Sequence, residues 1–243
     1  MRVLKVLGSG DAFATGGKHT TSFLVKNKQE GFLIDCGVST LVRLRQENYP
    51  IDKINKIFIT HFHGDHYGGL PFIFISKKFQ HSESSIIITG PVGIKKKIRQ
   101  LQEALYPGTG EVLDQLNLEF VEYNHEWQQV KDIEFRAYPV THAPPSIPHA
   151  LKIKFDDKIL AFSGDTEWDD NLIPLSEDAQ VFITECNNYM TESPGHVSYK
   201  TLLNKKDQLK AEKIYLSHMG KEMLELENCE FERLSDGAEV ELW

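Results

Sequence analysis

The 243 residues predict an α+β chain built as a four-layer αββα sandwich, a single domain spanning residues 1–243. Three observations predict it. Short strand-like runs recur in both halves, helical patterns fall between them, and no linker, low-complexity tract or repeat divides the chain. Strands interspersed with helices in both halves imply two helix-covered sheets more than one doubly wound parallel sheet. The length suits one large domain.

The chain opens with a strand at Arg2–Leu7, then the turn Gly8-Ser9-Gly10. Strand-like runs follow at Thr21–Lys26 and Gly31–Ile34, and Val38–Glu47 has helical spacing with Leu41 and Leu44 on one face. Lys56–Ile59 is a short buried-type strand, Ser85–Thr89 another, and Pro91–Leu105 a helix with proline in its first turn. The second half reads as strands at Leu118–Tyr123, Ile133–Val140, Ala150–Phe155, Ile159–Ser163 and Val181–Thr184. Ser198 caps a helix running to about Leu209, and Lys213–Leu216 is a strand. The end, Phe231–Leu234, Asp236-Gly237 and Glu239–Leu242, reads as a closing hairpin.

Composition excludes several classes. A hydrophobic share of 40% with 26% charged residues is that of a soluble globular protein. The net charge of −8 argues against broad binding to nucleic acid. Cys36, Cys186 and Cys229 are odd in number and lack CxxC spacing, so they read as reduced thiols of a cytoplasmic protein. The N-terminus has no apolar h-region of the kind a signal peptide needs, and the apolar run around Leu70 to Ile75 is too short for a bilayer.

The chemistry concentrates in ITHFHGDHYGG, residues 59–69, where His61, His63, Asp65 and His66 fall within six positions after a strand. Neutral imidazole and carboxylate are the donors that zinc and similar ions take. Three further residues follow strand-like runs: His142 in YPVTHAPPS, Asp165 in LAFSGDT and His218 in IYLSHMG.

HFHGDH followed by His142, Asp165 and His218 resembles the metallo-β-lactamase-fold metal-dependent hydrolases over essentially the whole chain. The resemblance implies two divalent metal ions, expected to be zinc, with manganese or iron as alternatives. It gives His61, His63 and His142 to the first, Asp65, His66 and His218 to the second, and Asp165 to both. A metal-bridging hydroxide would be the nucleophile. Histidine at 63 speaks against the oxygen-reducing di-iron branch, and aspartate at 165 against the antibiotic-hydrolysing branch.

Other stretches narrow the branch. LGSGDAF, residues 7–13, is similar to the glycine loop of the ribonuclease Z and phosphodiesterase branch. LIDCG, residues 33–37, is similar to a segment in which Asp35 supports the metal loop; a plain turn aspartate is the competing reading. FITECNNY…PGHVSYKTL resembles the ribonuclease Z segment in which a glutamate orients a histidine that protonates the leaving oxygen. The matching residues, Glu185 and His196, are candidate catalytic residues with Asp65. Residues 106–132 are too short and strand-like for the tRNA-gripping arm of ribonuclease Z, and the final motif is HMG.

The chain therefore looks more like armless relatives such as the cyclic phosphate hydrolase of phosphonate breakdown. The expected activity is a phosphodiesterase on small nucleotide-like or cyclic phosphate esters. A ribonuclease Z-type endoribonuclease acting on structured RNA and a lactone or thioester hydrolase are the alternatives. A non-catalytic binding module ranks last, since all seven ligands are present. No membrane partner is expected, and a homodimer is compatible. His149 either faces substrate phosphate or begins a strand. Lys77-Lys78 and Lys95-Lys96-Lys97 with Arg99 read as solvated faces, with phosphate attraction as the alternative.

Overall fold

The computed structural model describes residues 1–243. In chain order its elements begin with β1 (Val3–Gly8), β2 (Ser22–Lys26), β3 (Gly31–Ile34), α1 (Thr40–Gln46), β4 (Ile54–Phe58), α2 (Gly64–Tyr67) and α3 (Leu70–Phe79). Next come β5 (Ile86–Gly90), α4 (Ile94–Leu105), α5 (Val112–Gln115), β6 (Leu118–Glu122), β7 (Gln128–Val130), β8 (Ile133–Pro139) and β9 (His149–Phe155). The remainder are β10 (Lys158–Phe162), α6 (Leu172–Ser176), β11 (Val181–Glu185), α7 (Tyr199–Lys205), β12 (Lys213–Ser217), α8 (Lys221–Glu225), β13 (Glu232–Arg233) and β14 (Glu239–Glu241). No helix is long and apolar enough to cross a membrane.

The chain forms two compact units. The first comprises Met1–Gly8, His19–Glu122 and Asp236–Trp243; the second comprises Ser9–Lys18 and Tyr123–Ser235. Each is built on one seven-stranded mixed sheet.

In the first unit the strand order is β14-β1-β2-β3-β4-β5-β6. The pairs from β14 to β3 are antiparallel and those from β3 to β6 parallel. Parallel neighbours require crossovers, which α1, α2 with α3, and α4 with α5 supply. Strands covered on both faces read as continuous apolar runs, and every residue of GFLI in β3 and IIITG in β5 is buried. Phe32 and Phe58 meet edge to face at 5.8 Å across the β3–β4 pair.

The second unit has the order β13-β12-β11-β10-β9-β8-β7. Its parallel half runs from β13 to β10 and its antiparallel half from β10 to β7. Since β8 and β10 both run antiparallel to β9, the C-terminal ends of β8, β10, β11 and β12 lie at one sheet edge. Two apolar clusters support that sheet, one around Leu172, Leu175 and Phe182, the other around Val197, Leu202, Leu216 and Met223.

Most predicted elements form within two residues of their expected ends; the start of the helix expected from Pro91, the end of the helix capped by Ser198 and the closing hairpin differ. The helix expected from Pro91 begins at Ile94, because Gly93 adopts a left-handed φ of 88° and gives its N–H to Glu122 Oε1 at 2.8 Å. Ser198 caps α7 as expected, accepting from Thr201 N at 3.1 Å, but the helix stops at Lys205 and continues as a 3-10 turn to Gln208. The closing hairpin does not form. β13 pairs in parallel with β12, whereas β14 pairs antiparallel with β1, Leu4 facing Val240. The Gly237 turn is used against β1 instead, its N–H bonding Val6 O at 2.8 Å. The apolar run LPFIFISKKF, to which periodicity assigns no element, is the helix α3. Lys77 on it is wholly buried and bonds Ser82 Oγ at 2.8 Å, so it is a structural anchor and not part of a solvated face.

Candidate metal and proton-transfer centres

In the first unit the parallel strands deliver their C-terminal ends to one edge, where sheet scaffolds place functional side chains. His61 and His63 follow β4, and Asp65 and His66 lie in the single turn of α2. His61, Asp65 and His66 are buried and His63 is half-buried. His61 Nε2 lies 3.1 Å from His63 Nδ1, and His66 Nε2 lies 3.3 Å from Asp65 Oδ2. The His61 and His66 rings are 4.1 Å apart. Phe62 between them is packing, edge-on to Tyr67 at 5.5 Å with Lys97 Nζ 5.8 Å from its ring centre.

One carboxylate holds this cluster. Asp35 follows β3 with a left-handed φ of 58° and is wholly buried. It accepts the Thr60 N–H at 2.8 Å, the Thr60 hydroxyl at 2.8 Å, and sits 2.7 Å from His66 Nδ1. Burial raises its pKa, while the charge and hydrogen bond of His66 and the bonds from Thr60 oppose the rise. Thr60 Oγ1 is also 3.0 Å from His61 Nδ1. Of the two readings open for Asp35, orientation of the metal loop therefore prevails over an isolated turn residue, and Thr60 is a partner that the sequence does not announce.

In the second unit the corresponding edge collects His142 after β8, Asp165 after β10, Glu185 at the end of β11 and His218 after β12. Asp165 Oδ2 lies 3.3 Å from His218 Nε2 and 3.8 Å from His142 Nε2. His142 directs its other ring nitrogen, Nδ1, at Gly195 O, 2.7 Å away. His218 has a left-handed φ of 53°, and its N–H bonds Ser9 O at 2.9 Å, so the glycine turn buttresses this ligand. His196 stacks on His218 with ring centres 5.6 Å apart and meets the His142 ring edge-on at 5.0 Å.

Glu185 and His196 form the expected pair. His196 Nδ1 lies 3.0 and 3.1 Å from the two oxygens of Glu185. Glu185 is buried, and it also accepts the Thr166 N–H at 2.6 Å. Burial pushes its pKa up to about 8, with His196 acting against the rise and the nearby Asp165 adding to it. His149 does begin β9. It is buried, its Nδ1 bonds Ile147 O at 2.9 Å, and burial lowers its pKa to about 4.

The donors fit a divalent ion. Two donors at about 2.0–2.2 Å from one ion stand roughly 3.3 Å apart at a tetrahedral angle. The four donor pairs measured above, within each unit, run from 3.1 to 3.8 Å. His66 and His142 each have the second ring nitrogen fixed by an oxygen acceptor, which leaves Nε2 as the metal-facing atom.

A family model described as "Anti-Pycsar protein Apyc1" matches residues 2–234. A ribonuclease Z of Listeria monocytogenes serotype 4a (strain HCC23) is 38% identical over 98 residues, 39% of this chain and 32% of its own length. The alignment thus spans about a third of that curated relative. The metallo-beta-lactamase fold protein YhfI from Bacillus subtilis superimposes with a TM-score of 0.79 at 20% identity, covering 99% of this chain and 100% of its own. A diphosphatase from the PhnP family gives a TM-score of 0.78 at 17% identity, covering 100% and 98%. These superpositions establish the metallo-β-lactamase fold for this chain.

Proposed function

The chain belongs to the family described as anti-Pycsar protein Apyc1, and on that premise we propose that it is a binuclear metal-dependent phosphodiesterase acting on small nucleotide-like or cyclic phosphate esters. Its two units would work as the one domain expected from the sequence. His61, His63 and His142 would hold one ion, Asp65, His66 and His218 the other, and Asp165 both. Bound divalent ions supply a water of lowered pKa and neutralise charge on the phosphoryl oxygens.

The observation that carries the reading is the Glu185–His196 pair, at 3.0 and 3.1 Å. An alkoxide leaves poorly without a proton, and a histidine held by a buried carboxylate is suited to deliver one. Both Glu185 oxygens lie within reach of His196 Nδ1, Oε1 being shared with the Thr166 N–H, so His196 Nε2 would be the atom that faces the leaving group. Asp65, whose Oδ2 lies 3.3 Å from His66 Nε2, would accept a proton from the attacking water. Thioester hydrolysis gives this pair no necessary role, because a thiolate leaves without a proton; the lactone alternative, which also expels an alkoxide, is decided by the substrate panel. The ribonuclease Z reading has in its favour the glycine loop, the Glu185 and His196 segment and the similarity to the Listeria enzyme, whose matched portion is a third of its length. Within residues 106–132, where that reading expects an arm, Val112–Gln115 is a single helical turn and Leu118–Glu122 and Gln128–Val130 are the strands β6 and β7.

The test is one panel on metal-quantified protein: bis-p-nitrophenyl phosphate, a 3′,5′-cyclic nucleotide, precursor tRNA and a lactone. Hydrolysis of the two small esters with intact tRNA and lactone is expected. Cleavage of the tRNA or the lactone alone would overturn the proposal.

A further inference from the structure

A ring of contacts in the second unit ties a ligand histidine to the proton-transfer histidine, and it closes through a residue that no motif marks. The Glu167 N–H bonds Thr141 O at 2.8 Å. The Glu167 carboxylate, through Oε1, accepts the Gly195 N–H at 2.8 Å. Gly195 O then stands 2.7 Å from Nδ1 of His142, which is covalently next to Thr141. Gly195 is thus pinned on both sides, and the next residue is His196.

The backbone at Gly195 cannot be supplied by another residue without loss. Its φ is 86°, in the left-handed region, and a Cβ there would lie 2.7 Å from His142 Nδ1. The close approach of the glycine to the imidazole is therefore part of the site. The tripeptide Asp165-Thr166-Glu167 serves three partners in succession. Asp165 lies beside His142 and His218, the Thr166 N–H holds Glu185, and Glu167 holds Gly195.

We propose that Glu167 is a positioning residue which, through the Gly195 backbone, sets both the His142 ring and the place of His196. The inference rests on the phosphodiesterase reading for its kinetic half and on the donor geometry alone for its metal half. Removing the carboxylate frees the Gly195 N–H and with it the turn that carries His196. A neutral amide at the same place keeps an acceptor oxygen, so the role needs geometry more than charge.

The experiment compares Glu167→Ala, Glu167→Gln and Gly195→Ala with the unaltered protein. Zinc affinity is read by competition with a chromophoric chelator. Turnover is then read at saturating zinc on a 3′,5′-cyclic nucleotide, whose leaving group is an alkoxide, and on bis-p-nitrophenyl phosphate, whose aryl oxide leaves without a proton. Glu167→Ala should weaken zinc binding by about 10-fold or more. It should lower turnover of the cyclic nucleotide by about 10²-fold and that of the aryl ester far less. Glu167→Gln should restore both, and Gly195→Ala should reproduce the loss. Unchanged affinity and an unchanged ratio of the two esters in Glu167→Ala would overturn the inference. So would an equal loss on both esters without recovery in Glu167→Gln. If the unaltered protein binds zinc but hydrolyses neither ester, the phosphodiesterase reading fails, and the zinc arm alone decides for or against Glu167.

Discussion

The donor clusters of the two units present the same chemical groups but are secured in different ways. In the first unit four donors lie within six residues, and one buried carboxylate, Asp35, orders them through Thr60 and His66. In the second unit the three donors, His142, Asp165 and His218, follow three different strands and are spread over 77 positions, and backbone groups at Ser9 and Gly195 do the holding. A local cluster can be fixed by a single side chain, because adjacent residues already share a loop. A dispersed cluster needs the register of the sheet, with backbone acceptors where no side chain reaches. Damage should therefore be concentrated at Asp35 in the first unit and distributed in the second.

The largest effect should come from the donors themselves. Asp165→Ala removes the donor assigned to both ions, and loss of activity by about 10³-fold or more is expected, together with loss of bound metal by elemental analysis. Full metal content in that variant would break the assignment. His196→Ala should follow, with turnover down by about 10²–10⁴-fold and metal content intact. Loss of metal there would make His196 a structural residue.

Asp35→Ala sharpens the contrast between units. It leaves the buried Thr60 N–H and the His66 ring without their carboxylate, and a cost of about 1–3 kcal/mol in stability is expected from denaturant unfolding. Metal affinity should fall by about 10–100-fold. Thr166→Ala in the second unit should cost far less, because its contribution to Glu185 is a backbone N–H that the substitution retains. Equal losses in the two variants would contradict the proposed difference between the units.

The smallest effect concerns pH. His149 is buried with a pKa near 4, below the ordinary value of 6.5, so it is neutral in the folded chain and takes up a proton on unfolding between those values. Its contribution to stability is complete above about pH 6.5 and is lost as pH falls towards 4. His149→Gln should flatten the stability profile in that window, measured by chemical denaturation at stepped pH. A slope identical to that of the unaltered protein would show that other groups govern it.

Much of the first cluster was legible because its donors are contiguous and follow an apolar strand. The order His142, Asp165, His218 was legible only through resemblance, since one histidine after a strand carries little information. Thr60, Thr166, Glu167 and Gly195 were not legible: two act through backbone groups, which have no sequence signature, and Glu167 is one of many acidic residues. A glycine after Pro194 signals a turn, and nothing in the sequence says that its carbonyl meets His142.

By itself the sequence determined most strands and the helices α1, α4 and α7, because strand burial and helix spacing leave periodic patterns that need no partner, whereas the apolar run of α3 and the shorter helices leave none. It also determined the donor types and the capping of α7 by Ser198. Only the tertiary structure decided which sheet each strand joins. The expected hairpin shows why: β13 and β14 are close in sequence and flank the turn residues Asp236-Gly237, yet they pair with β12 and β1. Pairing is a competition among edges for backbone hydrogen bonds, and the winner depends on which edge the folded chain brings within reach. The same holds for Asp35, whose place against His66 follows from the parallel register of β3 and β4, Ile34 opposite Phe58.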